Sequence, residues 1–212
     1  MTTVLLLTNP DYTDFLLDVT RDYVVEHEIC ISDEKYIVWD DPDWSYDIGI
    51  SFMYRYKVPA EQVNSKPWFN FHPAPLPEYR GRDLCYHAIM NGEKEFGATI
   101  HYMDENFDTG DIIEVKKFDI KHWWTAEELS NQAKLVSQEL FVKYLPLILE
   151  NTEFPRIPNV GGTYYKKGSI VDTVPISVTD PVLARWIRAV TYGDFHPRIY
   201  IGGVSYRIVR EK

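Results

Sequence analysis

Two polar side chains lie two residues apart in an aromatic stretch, WFNFHPAPLPEYRG, at residues 68–81. If this stretch begins as a strand, Asn70 and His72 share one face and Phe69 and Phe71 share the other, because side chains alternate along a strand. An amide can donate a hydrogen bond to an oxygen that is becoming negative, and an imidazole can donate another or carry a proton. The pair therefore suits catalysis at a carbonyl group.

A carboxylate in a second stretch, DENFDTGDII at residues 104–113, can complete this chemistry. Asp108 stands two residues before Gly110, and we expect the glycine to supply the positive φ of a sharp turn between strands. If the two stretches are neighbours in one sheet, Asp108 can hold His72 and favour its charged form. None of the three side chains is a strong nucleophile, so the set suits direct acyl transfer with the attacking atom on the substrate. Taken singly, each residue could instead only cap a turn.

Short apolar segments that alternate with helical patterns must position these residues, and they predict an open α/β sheet. Buried strands are predicted in TVLLLTNP, YDIGISFMY, WFNFHP, FGATIHYMD and DIIEVKKFDI. A helix is expected from Asp11 or Thr13 to about Val25, with Val24 among its inner residues. The stretch EICISDEKYIVWDD has a poorly defined pattern, which leaves the second strand uncertain.

The clearest helix start is TAEEL, in which Thr125 can cap the helix and Glu128 can reach back to it. Apolar residues follow at helical spacing, and these are Leu129, Ala133, Val136 and Leu140. Pro146 is expected to kink or end this helix.

The irregular stretch NTEFPRIPNVGG suggests a boundary near residue 150. We therefore predict a catalytic domain over residues 1–150 and a closing segment with a small C-terminal appendage over residues 151–212. The last piece, RIYIGGVSYRIV, predicts a hairpin with Gly202 and Gly203 in its turn.

Composition excludes several classes of function. Twenty-two basic and 32 acidic residues give a formal charge of -10, the wrong sign for broad attraction to nucleic acid. No apolar run approaches a membrane span, there is no apolar leader, and there are only two cysteines, which together predict a reduced, cytoplasmic compartment. The turn after the first strand, TNPDYTDF, lacks the glycines of a dinucleotide site. We see no Walker loop, nucleophile elbow or metal-ligand spacing.

The stretches NFHPAPLPEYRG and GATIHYMDENFDTGDII resemble the folate-dependent formyltransferases, and GTYYKKGSIVDTVPISVTDPVLARWIRAV is similar to the segment that closes the tRNA and sugar enzymes of that family. The resemblance is specific over residues 47–120 and looser elsewhere. It implies a Rossmann-like, mostly parallel sheet, 10-formyltetrahydrofolate as donor, no metal, and Asn70, His72 and Asp108 as the catalytic residues.

The resemblance also implies two sets of binding residues. Contacts to the folate are expected from Phe52, Met53, Tyr54, Asp104, Glu105, Asn106 and Phe107. Contacts to the acceptor substrate are expected from Tyr79, Arg80, Trp123, Trp124, Tyr164, Tyr165 and Lys166.

The closing segment looks most like that of nucleotide-sugar N-formyltransferases, although the chain is short for that group. The resemblance implies a cytoplasmic homodimer that acts on a dTDP-linked 3-amino or 4-amino dideoxy sugar, or a GDP-linked 4-amino sugar, for O-antigen synthesis. We expect neither a nucleic-acid nor a membrane partner. The alternatives are a methionyl-tRNA or glycinamide ribonucleotide formyltransferase, a formyl-folate hydrolase, and a domain that binds folate or nucleotide without catalysis.

Overall fold

The computed structural model describes residues 1–34, 45–170 and 180–209. The strands are β1 (Thr3–Leu7), β2 (Glu28–Ser32), β3 (Ile48–Phe52), β4 (Trp68–His72), β5 (Tyr79–Gly81), β6 (Glu95–Tyr102), β7 (Ile112–Asp119), β8 (Thr163–Tyr165), β9 (Arg198–Ile201) and β10 (Val204–Arg207). The helices are α1 (Thr13–Thr20), α2 (Ala60–Ser65), α3 (Leu84–Asn91), α4 (Ala126–Leu149) and α5 (Asp180–Val190), with a 3-10 turn at Pro10–Tyr12.

The central sheet is mixed and has the strand order β2-β1-β3-β4-β6-β7. The pairs β2-β1, β1-β3 and β3-β4 are parallel. The pairs β4-β6 and β6-β7 are antiparallel. Together with the flanking helices and the β9–β10 hairpin, this confirms the predicted class of open, mostly parallel α/β sheet with a small C-terminal appendage. The predicted division at residue 150 remains a prediction.

The core lies between the sheet and α4, which explains the alternation in β4. Phe69 and Phe71 pack into the main hydrophobic cluster, so Asn70 and His72 must face the other way. The capping box of α4 is present as predicted, because Glu128 N donates to Thr125 Oγ1 at 3.2 Å and Thr125 N donates to Glu128 Oε2 at 2.7 Å.

The predicted end of the first helix is wrong, and Pro146 does not end α4, while a kink there stays a prediction. The first helix ends at Thr20, and Val24, expected on its inner face, is 53% exposed, so Val24 contributes little packing that would extend the helix. Pro146 lies inside α4, which continues to Leu149. Only the carbonyl of Val142 loses its helical partner there, and this residue is half exposed, where water can replace the bond.

The segment after α4 makes small pairings with earlier parts of the chain, outside the central sheet in the case of β8. Strand β8 pairs with β5, and α5 packs against α3 and α4 through Trp186 and Ala189. The hairpin turn forms at Gly202 and Gly203, both of which have positive φ. Residues 35–41 of the uncertain second strand region and residues 171–179 of the closing segment lie outside the described residues.

Candidate functional site

Strands β4 and β6 bring a second imidazole beside Asn70. Their register places Asn70 opposite His101, and Asn70 Nδ2 lies 3.0 Å from His101 Nε2. His101 Nδ1 lies 2.6 Å from the carbonyl oxygen of Tyr102, so Nδ1 must carry a proton and donate. In the neutral ring Nε2 then accepts from the Asn70 amide, which fixes the amide's orientation.

Burial keeps His101 in this neutral form. The side chain is fully buried, and the loss of hydration lowers the pKa of His101 to about 4, although the nearby Asp108 carboxylate opposes the shift. His101 is thus a hydrogen-bond acceptor for Asn70 throughout the neutral pH range.

His72 contacts the Asp108 carboxylate and the backbone of Tyr79 in β5. His72 Nδ1 lies 3.4 Å from Asp108 Oδ1, and His72 Nε2 lies 2.8 Å from the carbonyl oxygen of Tyr79. Both partners are acceptors, so both contacts are attractive only when both ring nitrogens carry protons. The second oxygen of Asp108, Oδ2, accepts from the backbone N–H of Gly81 at 3.0 Å.

The loop that carries Asp108 differs from the expected turn. The positive φ belongs to Asp108 itself, at 58°, and not to Gly110. Gly110 is required for a different reason, since a Cβ on it would lie 2.0 Å from the carbonyl oxygen of Tyr102. The glycine therefore lets the loop approach the end of β6, and the strained backbone of Asp108 aims the carboxylate at His72.

A small open cleft lies at the ends of β3 and β4. Asn70, Asp108 and His101 all line it, whereas His72 lies behind Asp108 and is buried. The remaining lining residues are Ser51, Tyr54, Tyr56, Lys57, Val58, Met103, Asp104 and Phe107. Polar groups therefore converge at the floor of the cleft, and two tyrosines, a lysine and a phenylalanine form part of its walls.

The structure places only some of the residues expected to bind folate in the cleft. Tyr54, Asp104 and Phe107 line the cleft. Phe52 is fully buried in the core, and Met53, also at positive φ, has its carbonyl held by Asn9 Nδ2 at 2.8 Å.

Two more residues of the expected folate set, Glu105 and Asn106, are exposed and are not among the lining residues. The side chain of Glu105 instead accepts from Asn64 Nδ2 at 2.8 Å. For Asn106, the backbone N–H is held by the Asp104 carboxylate at 2.9 Å.

The residues expected to bind the acceptor do not line this cleft within the described part of the chain. Tyr79 is buried, and its hydroxyl donates to Glu93 at 2.8 Å. The Arg80 guanidinium donates to Asn159 Oδ1 at 2.7 Å. Of the rest, Trp124 packs on Phe118.

The ring of Tyr165 stacks on the rings of His87 and Tyr79. Three residues of the predicted acceptor set are exposed to solvent, and these are Trp123, Tyr164 and Lys166.

Several residues of the site were not predicted from the sequence, among them His101, Tyr56, Lys57 and Asn159. His101 could have been found, because in FGATIHYMD it alternates with apolar residues on the face that must meet Asn70. Asn159 follows α4 in an irregular segment, and no local pattern marks it.

Within the described residues, no group of three His, Cys, Asp or Glu side chains is arranged to hold a metal ion. None of the described helices has the length and apolar character needed to span a membrane.

In comparison with known proteins, the matching family and the relatives described below are all formyltransferases. Residues 54–145 match the formyl transferase family. The GDP-perosamine N-formyltransferase of Brucella melitensis is 31% identical over 170 residues, covering 76% of this chain and 64% of that protein. This chain thus spans a little under two thirds of the length of that curated relative.

Two solved structures share the fold. A 4-N formyltransferase from Francisella tularensis superimposes with a TM-score of 0.83 at 23% identity, covering 99% of this chain and 97% of that one. A formyltransferase from Anoxybacillus kamchatkensis, solved with UDP-4,6-dideoxy-4-formamido-L-AltNAc and tetrahydrofolate, gives 0.68 at 27% identity, covering 78% and 86%. Residues 54–145 therefore match the formyl transferase family, within a chain that shares the fold of these two structures.

Proposed function

We propose that this protein is an N-formyltransferase that moves a formyl group from 10-formyltetrahydrofolate to the amine of a nucleoside-diphosphate-linked amino-dideoxy sugar. The observation that carries the proposal is the convergence of Asn70 and Asp108 in one cleft, with His72 3.4 Å from the Asp108 carboxylate. An amide donor, a carboxylate and an imidazole without a nucleophile are the groups that direct transfer of an acyl group needs.

In the proposed reaction, the neutral amine of the acceptor attacks the formyl carbon. The Asn70 amide has a second N–H beyond the one used by His101, and this N–H donates to the oxyanion that develops. Asp108 takes the proton that the amine loses, directly or through water, and His72 holds Asp108 in place. The oxyanion then collapses, the bond from carbon to N10 of the folate breaks, and N10 receives the proton that Asp108 took from the amine, directly or through water.

The aromatic side chains that line the cleft suit a flat formyl donor. Tyr54, Tyr56 and Phe107 offer ring surfaces, and the Lys57 ammonium lies 5.9 Å from the centre of the Phe107 ring. Aromatic faces and one cation suit an aromatic ligand with an anionic tail. The Anoxybacillus relative was solved with tetrahydrofolate, which agrees with this choice of donor.

The choice of a nucleotide sugar as acceptor follows the relatives named above, one a GDP-perosamine N-formyltransferase and the other solved with a UDP-linked 4-formamido sugar. The acceptor carries a pyrophosphate, so it must meet local cations on this acidic chain. Mass spectrometry of a panel of GDP-, dTDP- and UDP-linked 3-amino and 4-amino sugars, incubated with formyl donor, tests the proposal. We expect one member to gain a formyl group, and release of free formate without any formylated sugar would contradict the proposal.

As part of this proposal, the protein acts as a cytoplasmic homodimer. The hairpin β9–β10 exposes Val204 and Tyr206, which lie on one face because they alternate along β10. Such apolar side chains on a two-stranded hairpin are typical of surfaces that are covered by a partner. Light scattering after size exclusion should give twice the chain mass, and a monomeric mass would remove this part of the proposal.

A further inference from the structure

Asn159 occupies a place that neither the proposed reaction nor the substrate contacts explain. It is 8% exposed, and it lies in the irregular segment after α4. Two residues before it, Ile157 forms an antiparallel bridge with Ile112 at the start of β7. The bridge anchors the segment, so the Asn159 side chain has a fixed position relative to the loop that carries Asp108.

Every hydrogen-bonding group of the Asn159 amide is used. Nδ2 donates to the carbonyl oxygens of Asp108 at 3.0 Å and Gly110 at 2.9 Å. Oδ1 accepts from Arg80 at 2.7 Å, and the same guanidinium nitrogen donates to the Asn159 backbone oxygen at 2.7 Å. Two donated hydrogen bonds and one accepted hydrogen bond, all made close to the backbone of residue 159, require a primary amide on a short side chain, and asparagine provides this.

These bonds join strand β5, whose backbone contacts both His72 and the Asp108 carboxylate, to the loop that carries Asp108. Arg80 is flanked by Tyr79, whose carbonyl faces His72 Nε2, and by Gly81, whose N–H holds Asp108 Oδ2. Asn159 therefore ties strand β5 to the Asp108 loop directly beside the contact between imidazole and carboxylate. The loop needs such a tie because Asp108 has an unfavourable positive φ, and this conformation persists only where the surroundings impose it.

We propose that Asn159 is a positioning residue that sets the distance between the Asp108 carboxylate and His72, and that Arg80 serves the site as the anchor of Asn159. This inference rests on the proposed function for its catalytic consequence and on the structure alone for its geometric one.

Two variants test it. Asn159→Ala removes all the amide bonds, and Asn159→Asp keeps the shape and the acceptor for Arg80 but loses the donors to Asp108 and Gly110. We expect both to lower kcat about 10- to 100-fold with little change in KM for the folate, because a small displacement of a reacting group has effects of this size. Leu149→Ala is the control, since it removes buried apolar atoms from α4 and should cost stability without lowering kcat.

Imidazole NMR supplies a readout that does not depend on activity. The ring signals of His72, assigned with His72→Gln, should shift in Asn159→Asp and Asn159→Ala, as the carboxylate moves away, and should stay in place in Leu149→Ala. Wild-type His72 signals together with kcat within twofold of wild type would overturn the inference. If the wild type formylates no acceptor but the His72 signals shift as expected, the proposed function fails and the positioning role of Asn159 stands.

Discussion

At the scale of single residues, the site depends on pairs of groups whose hydrogen-bonding roles are forced. The Tyr102 carbonyl makes His101 Nδ1 a donor, which leaves Nε2 to accept from Asn70. The amide is thus oriented before any ligand arrives. Preorganised donors of this kind contribute most to catalysis when charge develops on an oxygen.

Replacement of Asn70 by alanine should lower kcat for formyl transfer by about 100-fold or more, since one oxyanion donor is lost. The variant should remain folded, because Asn70 is partly exposed in the cleft and lies outside the hydrophobic clusters. Steady-state kinetics and circular dichroism measure both expectations. Asn131→Ala, at an exposed position of α4, is the matched control. Activity of Asn70→Ala within tenfold of wild type would show that the amide is not the oxyanion donor.

The buried His101 predicts a pH dependence of stability. Its pKa is about 4 in the folded protein and about 6.5 in an unfolded chain, so between these values the unfolded state binds more protons. The free energy of unfolding should therefore be highest above pH 6.5 and fall as the pH decreases towards 4. Urea unfolding at several pH values should give a flatter profile for His101→Gln, which cannot titrate. Parallel profiles for the two proteins would contradict a buried, neutral His101.

At the scale of elements, α4 and the loop after β6 have different roles, since α4 stabilises the fold and the loop positions Asp108. The helix covers the sheet with a long apolar face, and its start is fixed by local side chains. The loop has local hydrogen bonds to the Asp104 carboxylate, but the position of Asp108 also depends on Gly110, Asn159 and the end of β6. Helix changes should therefore affect stability first, and loop changes should affect activity first.

Thr125→Ala tests the first half of this distinction. The threonine hydroxyl accepts the N–H of Glu128, so its loss should lower the free energy of unfolding by about 1 kcal/mol. Denaturant unfolding measures this, with Thr152→Ala, at an exposed threonine beyond the helix end, as the control. Equal stabilities of the two variants would mean that the capping box contributes nothing in solution.

At the scale of the whole molecule, the mixed sheet brings one end of β4 and β6 to the cleft lined by Asn70 and Asp108. A ligand that binds only the folded protein at 100 times its dissociation constant adds about 2.7 kcal/mol to the free energy of unfolding. Thermal shift with a stable folate analogue, and separately with GDP, dTDP and UDP, should therefore raise Tm for the folate and for one nucleotide. A shift with folate alone would favour a formyl-folate hydrolase or a purine-pathway transferase. No shift with any folate would favour a domain that does not catalyse the reaction.

Several parts of this protein follow from the order of its residues. The alternation in WFNFH separates Asn70 and His72 from the core, the capping box of Thr125 starts α4, and Gly202 with Gly203 makes the hairpin turn. These features are local, because they depend on side chains a few residues apart. The specific stretches around residues 70 and 108 were also enough to indicate the family.

Other parts were decided only by contacts between residues far apart in the chain. The pairing of Asn70 with His101 depends on the register of β4 and β6, and the hold of Asn159 on Asp108 spans 51 residues. The positive φ of Asp108 and the close approach of Gly110 to Tyr102 arise because the folded chain imposes them. Local preference gives each segment its type, whereas only the packed sheet sets the distances between segments, and those distances make the chemistry.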